Sequence, residues 1–335
     1  SAARTYANTY GALGGKHTVV FTNNSSAYSA AADLKLAGIE VQAIIDTRGK
    51  PTAKDLEIAR KAEIGVLSKH AVVAAHGRKA VNSVSVMEIT DYAEPIGKPR
   101  EILCDIVTVS GGWTPSVHLF SQSGGKLRYD EYLTAFVPDK SLQREQSVGA
   151  CKGSFSLHDC LREGIDAGTK AAYCAGFEAK SLDTPTCRGD SENSQQPLWG
   201  ISPPDHLYRG KRFVDFQNDV TAEDISLAWR EGYRSVEHLK RYTTLGMGTD
   251  QGRTSNINGL AIMAEHREEN VSEVGTTTFR QPFTPIPMGA VGGLNSHDKV
   301  TPVRTTPLYH WHKSHGSPFA NAGQWLRAQG YPKFG

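Results

Sequence analysis

The pattern of apolar and polar positions is clearest over residues 16–48. An apolar run at 18–21 predicts a strand, an alanine-rich stretch ending at Gly38 predicts a helix, and a second apolar run at 41–45 predicts another strand, which ends in Asp46. A strand, a helix and a strand in this order make a βαβ unit, whose two strands are parallel. This part of the chain is therefore predicted to form a Rossmann-like α/β region.

The turn after the first strand decides whether this unit binds a dinucleotide. It reads TNNSSA over residues 22–27, where the dinucleotide fingerprint has glycines. Asp46 occupies the place of the acidic residue that binds the ribose in such folds. Because side chains keep the backbone away from a pyrophosphate, the favoured interpretation is a structural Rossmann-like unit without a nucleotide, in which Asp46 only ends a strand.

Shorter elements follow this unit. The pattern predicts a helix and three short strands, as a small α/β unit with a β-meander, over residues 55–62, 65–67, 71–75 and 81–89. The run ILCDIVTVS at 102–110 predicts one buried strand that opens onto Gly111 and Gly112. Glycines at that point allow the chain to pass close to a ligand.

A second turn-and-helix pattern lies at 147–172. A turn at Gly149 and Ala150 precedes a helix that begins near Ser156. A helix N-terminus aimed at a ligand favours an anion such as a pyrophosphate. The small residues along this helix fit a close-packed core helix equally well, so both interpretations stay open. Residues 178–209 are rich in Ser, Pro, Gln and Asp without periodicity, which predicts a linker or surface loop.

Helical periodicity dominates residues 213–266, where an extended piece and three helices are predicted. Thr221 and Asp224 have the spacing of a capping box before the first of these helices. The layout predicts a small helical domain. Three aromatic residues recur at helical spacing and are interpreted as core residues rather than as a platform for a stacked ligand: Trp229, Tyr233 and Tyr242.

The segment at 240–265, KRYTTLGMGTDQGRTSNINGLAIMAE, combines cations, hydroxyls, carboxamides and glycines. Cations and hydroxyls donate hydrogen bonds to an anion, and glycines let it approach the backbone. The segment therefore predicts a surface for a polar ligand, with a phosphorylated cofactor as the natural candidate. The alternative is that these residues only cap and end two helices, because Ser, Thr, Asp and Asn are common N-caps and Gly is a common helix stop.

Composition narrows the class of protein. The chain has 335 residues, more than a single core usually holds, so at least two domains are expected. Its 37 basic and 35 acidic residues are mixed along the chain, without the basic stripe that nucleic-acid binding requires. No apolar run approaches the ~20 residues of a membrane span, and the first residues lack the pattern of a signal peptide. A soluble protein with no nucleic-acid or membrane partner is expected.

The cysteines and histidines form no recognisable metal or disulfide pattern. Five cysteines without a CxxC pair disfavour a zinc or iron–sulfur site and a disulfide framework, and they fit a reducing cytoplasm. The histidines of HWHKSH at 310–315 have no accompanying carboxylate or cysteine, so they are interpreted as surface or packing residues. Cys151 beside Lys152 has the setting of a reactive thiol, but a small residue at a packed turn explains it better. No metal site is expected.

Several long runs are specific enough to compare with a known family. The longest is VDFQNDVTAEDISLAWREGYRSVEHLKRYTTLGMGTDQGRTSNINGLAIMAE, followed by EVGTTTFRQPFTPI. Upstream stand RTYANTYG and VTVSGGWTPSVHLFSQSGGKLRYDE, and downstream stands TPLYHWHKSHGSPFANAGQWLRAQGYP. Together these runs resemble the alpha, or large, subunit of heterotetrameric sarcosine oxidases, over nearly the whole chain.

This resemblance implies a reaction and its cofactors. The family demethylates sarcosine to glycine, reduces O2 to H2O2 and passes the methyl carbon to tetrahydrofolate as 5,10-methylene-tetrahydrofolate. FAD in the beta subunit oxidises the amine, FMN at the alpha–beta interface reacts with oxygen, and the alpha subunit binds NAD. The resemblance thus implies a cytoplasmic oxidoreductase subunit that works with beta, gamma and delta subunits.

The same resemblance implies cofactor-binding residues, whereas catalytic residues stay unknown and the amine is expected to bind on the beta subunit. The residues implied at the FMN interface are Lys240, Arg241, Thr243, Thr244, Thr249, Gln251, Thr254 and Ser255. The residues implied for NAD are Gly112, Gly149, Ala150, Phe155 and Leu157.

The implied domain order has four parts. A two-dinucleotide-domain region, like that of pyridine nucleotide-disulfide oxidoreductases, covers 1–178, and a linker covers 179–210. A helical domain like an iron–sulfur domain without its cysteines covers 211–295, and the start of a folate-binding, aminomethyltransferase-like domain covers 296–335. The family's first GxGxxG motif precedes this stretch and most of its folate domain follows, so the chain is expected to be a central fragment that is inactive alone.

Two rival functions are kept. The large subunit of an opine oxidase or amino-acid dehydrogenase would be expected to keep the four cysteines of an iron–sulfur cluster, which the helical domain lacks. The other rival is a scaffold subunit that binds a flavoprotein partner and a dinucleotide without taking part in the chemistry.

Overall fold

The computed structural model describes residues 2–178, 180, 182–187, 195–201, 210–282, 284–294 and 302–332. The chain divides into two units, Ser1–Phe283 and Thr284–Gly335. The helices of the described residues are α1 (Ala2–Tyr10), α2 (Ser26–Leu36), α3 (Ala53–Lys61), α4 (His118–Gln122), α5 (Leu157–Cys174), α6 (Ala222–Arg230), α7 (Val236–Thr243), α8 (Asn256–Arg267), α9 (Val271–Val274), α10 (Met288–Gly292) and α11 (Tyr309–Ser314). The strands are β1 (His17–Thr22), β2 (Glu40–Asp46), β3 (Val66–Ser68), β4 (His70–Gly77), β5 (Val81–Ile89), β6 (Pro95–Leu103), β7 (Ile106–Ser110), β8 (Lys126–Asp130), β9 (Ala135–Lys140), β10 (Phe213–Asp215), β11 (Val220–Thr221), β12 (Arg304–Thr305), β13 (Phe319–Ala322) and β14 (Trp325–Ala328).

The N-terminal region is a mixed α/β, Rossmann-like fold, as the sequence predicted. Its parallel sheet has the strand order β3-β2-β1-β7. Val20 and Ile44 pack on α2 and α3, whereas Val19 and Ile45 pack on the antiparallel sheet β4-β5-β6. The sheet is therefore buried on both faces, which is why its strands read as unbroken apolar runs.

The single strand predicted over 102–110 is wrong. The chain leaves the antiparallel sheet at the end of β6 and enters the parallel sheet as β7, with a break at Cys104 and Asp105. The Asp105 carboxylate accepts backbone hydrogen bonds from Lys16 at 2.9 Å and His17 at 2.8 Å, which ties the break to the start of β1. Because both sheets bury apolar residues, the hydrophobic run gives no sign of the change.

The helical region contains strands β10 and β11 and helices α6 to α9, packed around Ile225, Leu239 and Met263. The capping box predicted at Thr221 and Asp224 is confirmed. Asp224 N donates to the Thr221 hydroxyl at 3.2 Å, and Thr221 N donates to the Asp224 carboxylate at 2.8 Å. Of the three aromatic residues interpreted as core, Trp229 and Tyr233 pack against this cluster, whereas Tyr242 lies at the surface and stacks on Tyr233 at 4.3 Å between ring centroids.

The second unit holds β12, β13 and β14 with α11. Within it His315 stacks on Trp311, with ring centroids 4.1 Å apart, and His312 hydrogen-bonds to Tyr331. These contacts are packing contacts, as predicted for these histidines.

The predicted domain boundaries stay predictions. In the linker predicted at 179–210, residues 179, 181, 188–194 and 202–209 lie outside the described residues, as do 296–301 and 333–335 of the predicted C-terminal domain start. Over the part of the chain that is described, none of the helices combines the length and the apolar character needed to cross a membrane.

Candidate cofactor sites

The first candidate site lies where β1 and β7 end side by side, with Thr22 opposite Ser110. Ligands of open α/β sheets bind in the crevice beyond such carboxyl ends. Here the fully buried Asn24 side chain donates to the Ser110 carbonyl at 2.8 Å, and its Oδ1 accepts from the backbone N–H and the hydroxyl of Ser26, at the start of α2. The side chain of Asn24 thus fills the place that glycines keep open in a dinucleotide fold.

Gly112, predicted to contact NAD, lies beside the same crevice. Its φ of +99° is a conformation that glycine adopts readily, and a Cβ there would lie 2.8 Å from Gln195 Oε1. That oxygen accepts from the Trp113 backbone N–H at 2.9 Å, and Gln195 Nε2 donates to the Leu133 carbonyl at 2.9 Å. In this structure the space that Gly112 leaves is occupied by an amide of the chain itself.

Asp46 belongs to a buried polar network. Its carboxylate accepts from the Tyr28 hydroxyl at 2.7 Å and from Arg48 at 2.8 Å, and Arg48 also pairs with Asp55 at 3.0 Å. All four side chains are almost fully buried. Burial, followed by the hydrogen bond to Asp46, raises the pKa of Tyr28. Asp46 therefore faces Arg48 rather than a ribose, which supports its interpretation as a strand-end residue.

The Gly149 turn is satisfied from within the chain. Gly149 is buried with φ of +65°, and its N–H donates to the Glu163 carboxylate at 2.8 Å. The Ser154 hydroxyl donates to the same carboxylate at 2.7 Å. Burial raises the pKa of Glu163, but these two hydrogen bonds and the charge of Lys152 outweigh it, so the pKa lies below its usual value. The N–H expected to face a pyrophosphate is thus already bonded to a carboxylate.

The other residues predicted for NAD surround this turn. Ala150 and Leu157 are exposed and Phe155 is half-buried. A Cβ at Gly153 would lie 2.5 Å from Leu133, the residue whose carbonyl Gln195 binds. The structure thus brings the Gly149 turn and the Gly112 turn to the same β8–β9 connection.

The hydroxyls of the predicted FMN segment are occupied by neighbouring acceptors. The bonds of Thr243, Thr244 and Thr254 stay within four residues, as the alternative of capping and turn formation implies, whereas those of Thr249 and Ser255 span 32 and 40 positions. Gln251 likewise donates its side-chain N–H to the Pro282 carbonyl. The hydroxyl donors and their acceptors are Thr243 to Leu239 O (2.8 Å), Thr244 to Thr243 O (2.5 Å), Thr249 to Gln217 Oε1 (3.1 Å), Thr254 to Asp250 Oδ2 (3.0 Å) and Ser255 to Asp215 Oδ2 (3.5 Å).

The cations of the same segment behave differently. Lys240 is only 7% exposed, and no partner within the described residues forms a hydrogen bond or an ion pair with its ammonium group. It lines a cavity of about 410 Å³ together with Glu237, Arg241, Met247, Thr278 and Arg280. Burial lowers the pKa of Lys240, Glu237 opposes this, and the charges of Arg280 and Arg241 lower the pKa further, so that it lies below its usual value.

Sequence reasoning missed Glu237, Thr278 and Arg280. Glu237 pairs with Arg241 at 3.0 Å and accepts the Thr278 backbone N–H at 3.0 Å. Thr278 and Arg280 lie in the irregular segment after α9, about 40 positions beyond Lys240. The available signal was the run TTTFR at 276–280, in which a cation follows three hydroxyl residues.

A second, smaller cavity of about 130 Å³ lies nearby. The buried ring of His118 lines it and contacts Phe279, with ring centroids 3.8 Å apart. Burial lowers the pKa of His118. Arg253, the third cation of the polar segment, lines this cavity instead of the first.

Comparisons with known proteins identify the family. The model of the sarcosine oxidase A3 domain matches residues 209–294. The chain is 36% identical to the alpha subunit of the sarcosine oxidase of Corynebacterium sp. (strain P-1), over 100% of this chain and 35% of that protein. It is 25% identical to an opine oxidase subunit of Rhizobium meliloti (strain 1021), over 55% of this chain and 43% of that protein.

A solved structure supports the fold. L-proline dehydrogenase from P. horikoshii aligns with a TM-score of 0.55 and 18% identity, over 85% of this chain and 52% of that chain. All of this chain aligns with the sarcosine oxidase relative, but it spans only about a third of that protein's length. The chain belongs to the family of sarcosine oxidase alpha subunits.

Proposed function

We propose that the chain is the part of a sarcosine oxidase alpha subunit that contributes one wall of an FMN site. In the complete enzyme sarcosine is demethylated to glycine, O2 is reduced to H2O2 and the methyl carbon passes to tetrahydrofolate. The similarity to alpha subunits supports an oxidoreductase that acts together with other subunits. We propose that these are beta, gamma and delta subunits and that the beta subunit carries FAD.

The observation that carries this proposal is the buried Lys240, without a partner among the described residues, beside an open cavity in the region that the family model covers. An anionic cofactor fits a cavity whose lining carries three cations and one carboxylate. FMN would supply electron transfer from the amine-oxidising flavin to oxygen. The implied interface residues divide by their contacts. Lys240 and Arg241 line the cavity. The other implied interface residues are not among its lining residues, and their side chains donate to acceptors within the chain: Thr243, Thr244, Thr249, Gln251, Thr254 and Ser255.

The surroundings of the residues proposed for NAD suit a pyrophosphate less well than the cavity beside Lys240 suits FMN. The Glu163 carboxylate already accepts a hydrogen bond from the Gly149 N–H, and the negative charge of a carboxylate at that position repels a pyrophosphate. We propose that this chain contacts NAD only through neutral groups, at Gly112, Ala150, Phe155 and Leu157, and that the phosphates bind elsewhere in the complete alpha chain. The dinucleotide region at 1–178, the helical domain at 211–295 and the folate domain start at 296–335 remain the proposed domains.

The rival functions are less well supported. The helical region has an apolar core and no cysteine between 211 and 295, so it cannot hold the iron–sulfur cluster expected of an opine oxidase or amino-acid dehydrogenase large chain. The similarity to the opine oxidase relative covers only about half of this chain. A scaffold without chemistry would give no reason for an uncompensated buried lysine.

Co-expression with a flavoprotein beta subunit tests the proposal. The flavin released from the purified complex is identified by chromatography and counted per complex. We expect FMN and FAD together in the complex, and no FMN in either chain alone. A stable complex that holds FAD alone would sink the FMN assignment and favour the scaffold.

A further inference from the structure

We infer that the cavity beside α7 is a phosphomonoester subsite in which Lys240 and Arg280 supply the positive charge. Its identification with the phosphate of FMN rests on the proposed function, whereas phosphate binding itself does not. Three features support the subsite: the charge of the lining, the burial of Lys240 and the size of the cavity.

The charge balance of the lining leaves two cations uncompensated. The one carboxylate, Glu237, is bound by Arg241 at 3.0 Å and by the backbone N–H of Thr278 at 3.0 Å. Over the described residues, neither the Lys240 side chain nor the Arg280 side chain has a hydrogen-bond or ion-pair partner, and both line the cavity. A dianion such as a phosphate monoester would match the two remaining charges.

The burial of Lys240 is the second reason. Lysine is almost never fully buried unless it is paired, because the ammonium loses its hydration. Lys240 is only 7% exposed and has no partner in the described part of the chain, and α7 holds it there because the neighbouring Leu239 is fixed in the apolar core. A bound anion would supply the missing partner, and Arg280 on the opposite segment would complete a clamp.

The composition of the lining and the size of the cavity narrow the ligand class. Among the residues that line the cavity, Lys240, Arg241 and Arg280 carry positive charge and Thr278 adds a hydroxyl, so the cations dominate recognition of an anion. The cavity of about 410 Å³ exceeds a phosphate group and leaves room for the group esterified to it. A phosphomonoester on a larger molecule therefore fits better than a free small anion.

The test measures thermal unfolding of the chain with inorganic phosphate, against chloride and acetate at equal ionic strength. We expect phosphate to raise the unfolding temperature of the natural chain more than acetate does. Lys240→Met, which keeps the length of the side chain and removes its charge, should fold and lose this increment. Arg280→Gln should weaken phosphate binding at least about tenfold, the loss typical for a charged hydrogen-bond partner.

Matched controls keep the test specific. Lys170→Met and Arg144→Gln remove exposed cations that lie far from Lys240 in sequence. Both variants should keep the rise in unfolding temperature that phosphate causes. An unchanged phosphate increment in Lys240→Met, an equal loss in Lys170→Met, or an equal effect of acetate would each overturn the inference.

The complex with the beta subunit separates this inference from the proposed function. Retention of FMN and of riboflavin is compared by fluorescence after gel filtration. We expect FMN to be retained better than riboflavin, and Lys240→Met to remove the difference. If the complex retains no FMN while the chain keeps a Lys240-dependent phosphate increment, the proposed function fails and the phosphate subsite stands. If Lys240→Met retains FMN as well as the natural chain does, the subsite fails and the proposed function stands.

Discussion

The carboxylate of Glu163 accepts a hydrogen bond from the backbone N–H of Gly149 at 2.8 Å. The turn at Gly149 is thereby organised around an internal anion, fourteen residues further along the chain. Ser154 donates to the same carboxylate, so the carboxylate closes the whole turn. This arrangement explains why a turn with the features of an anion site does not offer its N–H to a ligand.

Glu163→Gln should loosen this turn. The amide keeps one acceptor but presents an N–H to either Gly149 or Ser154, and we expect a loss of about 1–3 kcal/mol in the free energy of unfolding. Denaturant unfolding measures the loss, and hydrogen exchange should show faster exchange of the Gly149 amide. Asp166→Asn, on the exposed side of the same helix, is the control. Equal stabilities of both variants would contradict this role of Glu163.

The network around Asp46 should dominate the stability of the Rossmann-like sheet. Asp46→Asn leaves Arg48 with a poorer partner in a buried site, and we expect a loss of about 3 kcal/mol in the free energy of unfolding. The exposed pair of Glu57 and Lys61 offers the comparison, since Glu57→Gln should have at most a small effect on the same free energy. Urea unfolding of the two variants measures both losses in the free energy of unfolding. Equal losses would contradict the claim that burial makes the Asp46–Arg48 pair more important than the exposed pair.

The capping box at the start of α6 gives a local test. Thr221→Ala removes the acceptor of the Asp224 N–H and should cost about 1 kcal/mol in unfolding free energy. Ser235 stands at the same position before α7, but its side chain makes no capping hydrogen bond. Ser235→Ala should therefore leave the unfolding free energy nearly unchanged, and a similar loss in both variants would argue against the capping role.

The lowered pKa of Lys240 predicts a pH dependence. Glu237, Arg241 and Arg280 are the charged groups around it. Between its lowered pKa and the value of about 10.4 for an unfolded lysine, the unfolded chain binds more protons, so the free energy of unfolding should rise with pH in that window. Urea unfolding at several pH values measures this rise, which should be absent from Lys240→Met.

The affinity for phosphate should fall with pH over the range in which the free energy of unfolding rises. As pH rises through the lowered pKa, Lys240 loses its charge and phosphate affinity should fall, at a pH where exposed lysines remain charged. Calorimetric titration with phosphate, at several pH values below about 10, measures this fall. The same pH profile in Lys240→Met would show that another group is responsible.

Local patterns predicted local structure well. The βαβ unit and the capping box at Thr221 follow from periodicity and from a spacing of three residues, and both are present. The break at Asp105 could not be read from the sequence, because the apolar end of β6 and the apolar strand β7 belong to different sheets and are separated by only two residues.

Long-range contacts limited the prediction of the sites. The polar segment was recognisable, but the sequence could not tell that Thr249 binds Gln217 while Lys240 stays without a partner in the described part of the chain. Arg280 joins Lys240 only because the segment after α9 folds back past α7. Such contacts depend on packing, which the order of residues does not display.

The most direct test of the FMN proposal is anaerobic titration of the assembled complex with sarcosine, followed by absorption spectroscopy. We predict that sarcosine bleaches both FAD and FMN, and that air restores both spectra with one H2O2 formed per sarcosine consumed. A complex that binds no FMN, or one in which sarcosine reduces FAD but leaves bound FMN oxidised, would contradict the proposal that this chain contributes to an FMN site that passes electrons from FAD to oxygen.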